Sequence, residues 1–240
     1  MFNDKCYFEV NREERFFCLL FVHALLESEK VRTGFFRLVE SRHSVSFNPA
    51  NFEIYAEVAA LRDYWHNLGD PVTYSAETHQ KRRKILEAIL NVFDLPASAI
   101  DGNDLFWTST RKLWSPSEWN IEKLKASGLE KLISVRWAFN AKPDIMIVSD
   151  SIVLMIEAKV ESGEGRNDES GYQQYEVQKL ISRLLGMLVP QFKDSTFLNT
   201  VLELRPVTGI SWHEVIALVE QSEIDEFSKK CLSQLKRFYG

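Results

Sequence analysis

The sequence predicts an α/β protein with a central mixed β-sheet flanked by helices. Three observations carry this expectation. Short β-rich runs bounded by turn residues cluster between residues 131 and 160: "KLISVRWAF", "PDIMIVS" and "IVLMIEAKV". A helical period follows in "GYQQYEVQKLISRLLGML", and then another β-rich run, "TFLNTVLELRP". Helical patterns border these strands on both sides, which calls for a sheet covered on its faces. The 240 residues are read as one domain, with an α/β core over about 115–220, a closing helix to 240 and a mostly helical elaboration over about 30–130.

The elements follow in chain order. "NREERFFCLLFVHALLESEK" opens with Asn11 as N-cap and Glu14 three residues on, a capping-box pattern, and is apolar around most of its circumference. It is expected to be a deeply packed helix. In "NFEIYAEVAALRDYWHNLGD", Ile54, Val58, Leu61, Trp65 and Leu68 repeat at helical spacing until Gly69 and Pro71. A helix is expected from about Glu77 to Phe93, ended by Pro96, and a shorter one from Ser117 to Ala126. The strands and the 172–189 helix come next. "SWHEVIALVEQ" carries a second capping box, Ser211 with Glu214, and "SEIDEFSKKCLSQLKRFY" is an amphipathic closing helix.

Composition narrows the function classes. A net charge of -5 argues against a protein that coats nucleic acid through bulk charge, so any such site must be local. The basic runs at Lys81 to Lys84, Arg111-Lys112, Lys229-Lys230 and Lys236-Arg237 read as solvated helix faces. Cys6, Cys18 and Cys231 are odd in number and lack CxxC spacing, which suggests neither a disulfide framework nor a zinc site. No signal peptide or membrane span is expected, and a cytoplasmic location is the default reading. Histidines 23, 43, 66, 79 and 213 show no metal-ligand spacing, and no G-x-S-x-G, P-loop or G-x-G-x-x-G occurs. Trp107, Trp114 and Trp119 lie in one short span; core packing is the expected role and base stacking the alternative.

The stretch 142–163, "KPDIMIVSDSIVLMIEAKVESG", breaks the burial rule. It reads as a buried hairpin, yet places Asp144, Glu157 and Lys159 where a buried strand wants Val or Ile. With Asp150-Ser151 as a two-residue turn, Ser149 pairs with Ile152 and paired numbers sum to 301. Asp144 then stands opposite Glu157, with Cβ atoms roughly 5 Å apart. Facing carboxylates destabilise a sheet unless something neutralises them, and a divalent cation does so. All-oxygen ligation with few protein carboxylates and several waters suits magnesium. Lys159 shares the face of Glu157, while Ala158 points away and leaves its backbone carbonyl near the ion. Two acids, a carbonyl and an ammonium suit phosphodiester hydrolysis.

"PD" at Pro143-Asp144, followed by "EAK" at Glu157-Ala158-Lys159, resembles the active-site motif of the PD-(D/E)xK nuclease superfamily. The resemblance covers about residues 115 to 220 and implies a restriction-endonuclease-like core. It further implies a magnesium- or manganese-dependent nuclease: Asp144 and Glu157 bind the metal, Lys159 acts on the water nucleophile, and DNA is favoured over RNA as substrate. Members often carry another acid on a helix before the first strand. Glu14 is the choice here, with Glu57, Glu118 and Glu122 as rivals, and the capping box is an alternative role for Glu14. If Glu14 is that acid, the 30–130 stretch is an insertion into the core. The RecB-like branch places a Gln on the next helix, for which Gln174 and Gln178, at i and i+4, are the substrate-binding candidates, although the QxxxY spacing is absent.

Two other readings stay open. Asp144 caps the start of its strand while Glu157 and Lys159 form an edge ion pair; or the chain is a catalytically inactive member that binds nucleic acid or a protein. A defence nuclease whose 30–130 region senses a signal or forms a homodimer is a third expectation.

Overall fold

The computed structural model describes residues 13–69, 75–110, 112–160, 166–167, 172–206 and 209–239, with backbone alone at 166–167, 172 and 237–239. Nine α-helices and seven strands are defined among them: α1 (Glu14–Glu27), α2 (Glu29–His43), β1 (Glu53–Ala56), α3 (Ala60–Asn67), α4 (Ala76–Val92), α5 (Ile121–Ala126), α6 (Ile133–Asn140), β2 (Ile145–Ser149), β3 (Ile152–Lys159), β4 (Arg166–Asn167), β5 (Tyr172–Gln173), α7 (Gln174–Leu188), β6 (Thr196–Glu203), β7 (Ile210–Ser211), α8 (Trp212–Glu220) and α9 (Glu226–Tyr239). Their contacts fall into two units. The first joins Met1–Val58, Pro143–Gly163 and Ser195–Gly240; the second joins Ala59–Lys142 and Glu164–Asp194.

The first unit holds a five-stranded mixed sheet in the order β1-β2-β3-β6-β7. β2 runs antiparallel to both β1 and β3, while β6 pairs parallel with β3 and β7 parallel with β6. β3 is central and buried along nearly its whole length, which explains its unbroken apolar run. Alternation turns Ile152, Leu154, Ile156 and Ala158 of β3, with Ile145 and Ile147 of β2, into one aromatic-rich core. Helices of the same unit supply the other wall: Phe17, Phe21 and Leu25 from α1, Phe35 and Val39 from α2, Trp212 and Ile216 from α8, Leu232 and Leu235 from α9. Phe21 sits at the centre, edge-on to Phe35 at 4.9 Å and to Trp212 at 6.1 Å between ring centroids.

Local chemistry fixes these helices. Ser28 ends α1, donating its N–H to Ala24, and its hydroxyl caps α2 by accepting from the Val31 N–H. Ser211 and Glu214 form the expected capping box at the start of α8, and both oxygens of Glu214 also accept from one nitrogen, Nη2, of Arg42 on α2. The hairpin turn is the two-residue one: Ser149 pairs with Ile152, and Asp150 takes φ 48° in the left-handed region. A preceding loop braces it. The Ser149 hydroxyl bonds the Asn48 backbone and Asn51 carbonyl, and the Asn51 amide donates to Asp150 at 2.6 Å.

The second unit is mainly helical. Trp65 of α3 meets Phe139 of α6 edge-on, and Phe106 meets Trp119 in the same way. Of the three clustered tryptophans, Trp119 is fully buried, while Trp107 and Trp114 are half-buried and Trp107 donates to the Ile100 carbonyl. The Lys81 to Lys84 run is less solvated than its composition suggests. Arg82 is buried with its guanidinium 5.1 Å over the Trp65 ring, and Arg83 is paired with Glu87 and Asp101.

Several elements differ from the sequence expectation. "KLISVRWAF" forms a 3₁₀ turn and helix α6, not a strand: Leu132, Val135 and Phe139 are buried at i, i+3 and i+7, and that helical period prevails over a β-rich composition. Conversely, the first strand of the sheet is Glu53–Ala56, which the helical spacing of Ile54 with Val58 had assigned to a helix that starts only at Ala60. The Ser117–Ala126 helix divides into a 3₁₀ turn at Pro116–Glu118 and α5. α2 and β1 belong to the sheet unit, so the helical unit starts at Ala59, later in the chain than the expected elaboration.

Candidate active site

Pro143 forces an extended approach into β2, and Asp144 sits at its mouth. Since Ile145 pairs with Ile156, the next step outward sets Asp144 across from Glu157. Glu157 and Lys159 share one face of β3, and Ala158 turns into the aromatic core. Asp144 and Glu157 are only 8% and 7% exposed, so the facing carboxylates are withdrawn from water.

A short hydrogen-bond chain connects them. The Asp144 Oδ2 accepts the Ala158 N–H at 2.7 Å, and the Asp144 backbone carbonyl accepts the Glu57 N–H at 3.2 Å. A strand residue aims its N–H and C=O at the same neighbour, so the Ala158 carbonyl also faces the Asp144 side. Lys159 Nζ donates to Glu157 Oε1 at 2.6 Å and stands 4.0 Å from Glu14 Oε1. Glu14 Oε2 in turn accepts the Val160 N–H at 3.0 Å, and the Trp212 indole donates to the Lys159 carbonyl at 3.2 Å.

Glu14 therefore joins Glu157 and Lys159 from the first residue of α1. Its carboxylate is tied to the β3 end; the N-cap of α1 is Glu13, whose side chain makes no capping bond, while Asn11 lies outside the described residues. Among the rivals, Glu57 follows β1 at φ 54° and pairs with Arg15 at 3.4 Å. Glu118 and Glu122 belong to the second unit. Gln174 and Gln178 also belong to the second unit, both on α7, with Gln178 buried and Gln174 half-buried.

The electrostatics follow from burial. Desolvation, then the Glu157 charge, push the Asp144 carboxyl up to about 7, although the Ala158 N–H pulls the other way. Burial disfavours the Lys159 charge, but the bond to Glu157 and the surrounding acids outweigh it and raise its pKa. The Cys18 thiol, on α1, is pushed far up by burial and then by Asp144, Glu14, Glu157 and Glu57. Four carboxylates thus act on one buried neighbourhood, where Lys159 and Arg15 are the ion-paired cations among the described residues.

Compared with protein-family models, curated proteins and solved structures, the chain has no significant match in any of them.

The residues themselves must therefore decide what the site accommodates. Excess negative charge, a destabilised Asp144 carboxylate and a backbone carbonyl on the same side make an all-oxygen donor set of the kind magnesium or manganese takes with several waters. No group of three or more His, Cys, Asp or Glu is gathered around a metal position among the described residues, so the fit rests on Asp144, Glu157 and the Ala158 carbonyl. Sequence reasoning missed Trp212 and Arg15. Neither has a local signature, since each reaches the site only through the packing of α8 and α1.

Proposed function

We propose that the chain is a magnesium- or manganese-dependent nuclease of the PD-(D/E)xK type that hydrolyses phosphodiester bonds, with DNA favoured over RNA. The observation that carries this reading is the pair of buried carboxylates, Asp144 and Glu157, set across a fixed hairpin with Lys159 hydrogen-bonded to one of them. A structural ion pair explains Glu157 and Lys159 but leaves Asp144 facing a like charge, and the bond it accepts there, from the Ala158 N–H, does not offset burial and that charge. With α2 before β1 and the helices α3 to α6 between β1 and β2 taken as insertions, the element order also supports it: α1, then β1, β2 and β3 paired antiparallel in that order, then α7, then β6 parallel to β3.

A bound divalent cation supplies a Lewis acid for the phosphoryl oxygen and a more acidic water. Asp144 and Glu157 would hold that cation, with the Ala158 carbonyl as a third donor. Ala158 also fixes the Asp144 rotamer through its N–H, so the ligand is preorganised. Lys159 orients the attacking water and offsets the charge that develops on the phosphoryl group. Two buried free thiols, Cys18 and Cys231, suit a reducing compartment, and the cytoplasm is the proposed location.

The test is cleavage of single-stranded DNA, duplex DNA and RNA by the full chain, in EDTA and with added magnesium or manganese. Cation-dependent cleavage is expected. Asp144→Ala should abolish it while the circular dichroism spectrum is retained, and activity surviving in that variant sinks the mechanism.

A further inference from the structure

We propose that Lys159 is an exchangeable counter-ion at Glu157, displaced by an incoming divalent cation and received by Glu14; this rests on the metal-dependent reading of the site.

The geometry sets up a competition. Lys159 Nζ lies 2.6 Å from Glu157 Oε1, on the carboxylate that a cation would also use. An ammonium and a divalent cation repel each other at such a range, most strongly where water is scarce, and both side chains of this pair are at least 86% shielded, with exposures of 14% and 10%. A cation at Glu157 therefore moves the ammonium. Glu14 is the acceptor within reach: its Oε1 is 4.0 Å from Nζ, close enough for a side-chain rotation to close the gap.

The surroundings confine the exchange to that rotation. The Lys159 carbonyl is held by the Trp212 indole, and the next residue, Val160, donates its N–H to Glu14. Glu14 consequently has one oxygen committed to the strand and the other turned toward the ammonium. It is a positioning residue for Lys159 and not a metal ligand. Metal loading and the placement of the water-orienting lysine become one event, because the cation that enters at Glu157 sends Lys159 to its working partner.

Calorimetric titration of magnesium and manganese chloride into the wild-type chain, Lys159→Met and Glu14→Gln tests this. Lys159→Met removes the competitor and should bind the cation about tenfold tighter or more, as expected for loss of a charged hydrogen bond. Glu14→Gln keeps an acceptor for the Val160 N–H but removes the charge that receives the ammonium; it should bind the cation with unchanged stoichiometry and lower affinity, while kcat falls, and the loss of affinity should vanish in the double variant with Lys159→Met, which has no ammonium to receive. Lys159→Gln repeats the first measurement should the Met variant melt at markedly lower temperature. A Lys159 variant that binds no tighter overturns the exchange, and weakening by Glu14→Gln that persists in the Lys159→Met background makes Glu14 a ligand and overturns its receiving role. Failure of the wild type to bind either cation, with or without nucleic acid, overturns the metal reading itself.

Discussion

The Asp144 carboxylate accepts the Ala158 N–H at 2.7 Å, from the strand that carries Glu157 on the adjoining residue. This bond stabilises the ionised form, yet burial and the facing Glu157 outweigh it, so that the native carboxyl titrates near 7 against 3.8 ordinarily. The balance is unfavourable to the metal-free fold.

A sign follows for stability against pH. Between about pH 4 and pH 7 the native state binds a proton at Asp144 that the unfolded chain has lost, so stability falls as pH rises through that window. Asp144→Asn should remove this slope and gain on the order of 2 kcal/mol over the metal-free wild type at pH 8. Urea denaturation at pH 5 and pH 8 in EDTA measures both. Equal slopes in the two proteins would show that Asp144 ionises normally.

Glu157→Gln leaves the volume of β3 intact and removes the charge shared by Lys159 and the cation. Cleavage should drop by about a hundredfold or more, and calorimetry should show weaker magnesium binding. Normal metal affinity in this variant would move the metal away from the hairpin.

Trp212→Phe keeps an aromatic ring in the core and deletes the indole N–H that holds the Lys159 carbonyl. We expect a stability loss of about 1–3 kcal/mol from the unsatisfied carbonyl. Cleavage should fall through kcat, because the strand end that carries Lys159 is loosened while Asp144 and Glu157 keep their places. Thermal melting and steady-state kinetics on the same preparation separate the two effects.

Gly209 precedes β7, and a Cβ built there runs into the Val201 carbonyl oxygen of β6. Gly209→Ala should cost about 1–3 kcal/mol as an overpacking change. The expected signature is a lower urea midpoint with an unchanged slope, since the strain is local to the β6 and β7 edge.

The hairpin and its register were readable from residues 142–163 because period-two alternation, a two-residue turn and three misplaced charges all agreed. The Ser211 and Glu214 capping box was readable for a similar reason, being wholly local. Residues 131–139 misled because Ile133, Val135 and Trp137 also alternate, and only the buried set Leu132, Val135 and Phe139 reveals the helix. Residues 53–56 misled in the opposite way, since Ile54 of a four-residue edge strand falls by chance in the helical phase of Val58, Leu61 and Trp65, with three residues between the strand and the start of α3. Glu14 was named from a resemblance, but its partner, Val160, lies 146 residues away, a relation no local pattern carries.

The hairpin also has a reading frame. From Ile145 to Ile156 every residue is either in the ladder or in the turn, so the segment has no slack. Residues there can be exchanged, but their number cannot change. One residue inserted at the Asp150 tip would slide one strand past the other, and a side-chain period of two would then trade the Glu157 and Lys159 face for the Ile156 and Ala158 face. Homologues of this chain should therefore keep the thirteen-residue step from Asp144 to Glu157, even where loops elsewhere have grown or shrunk.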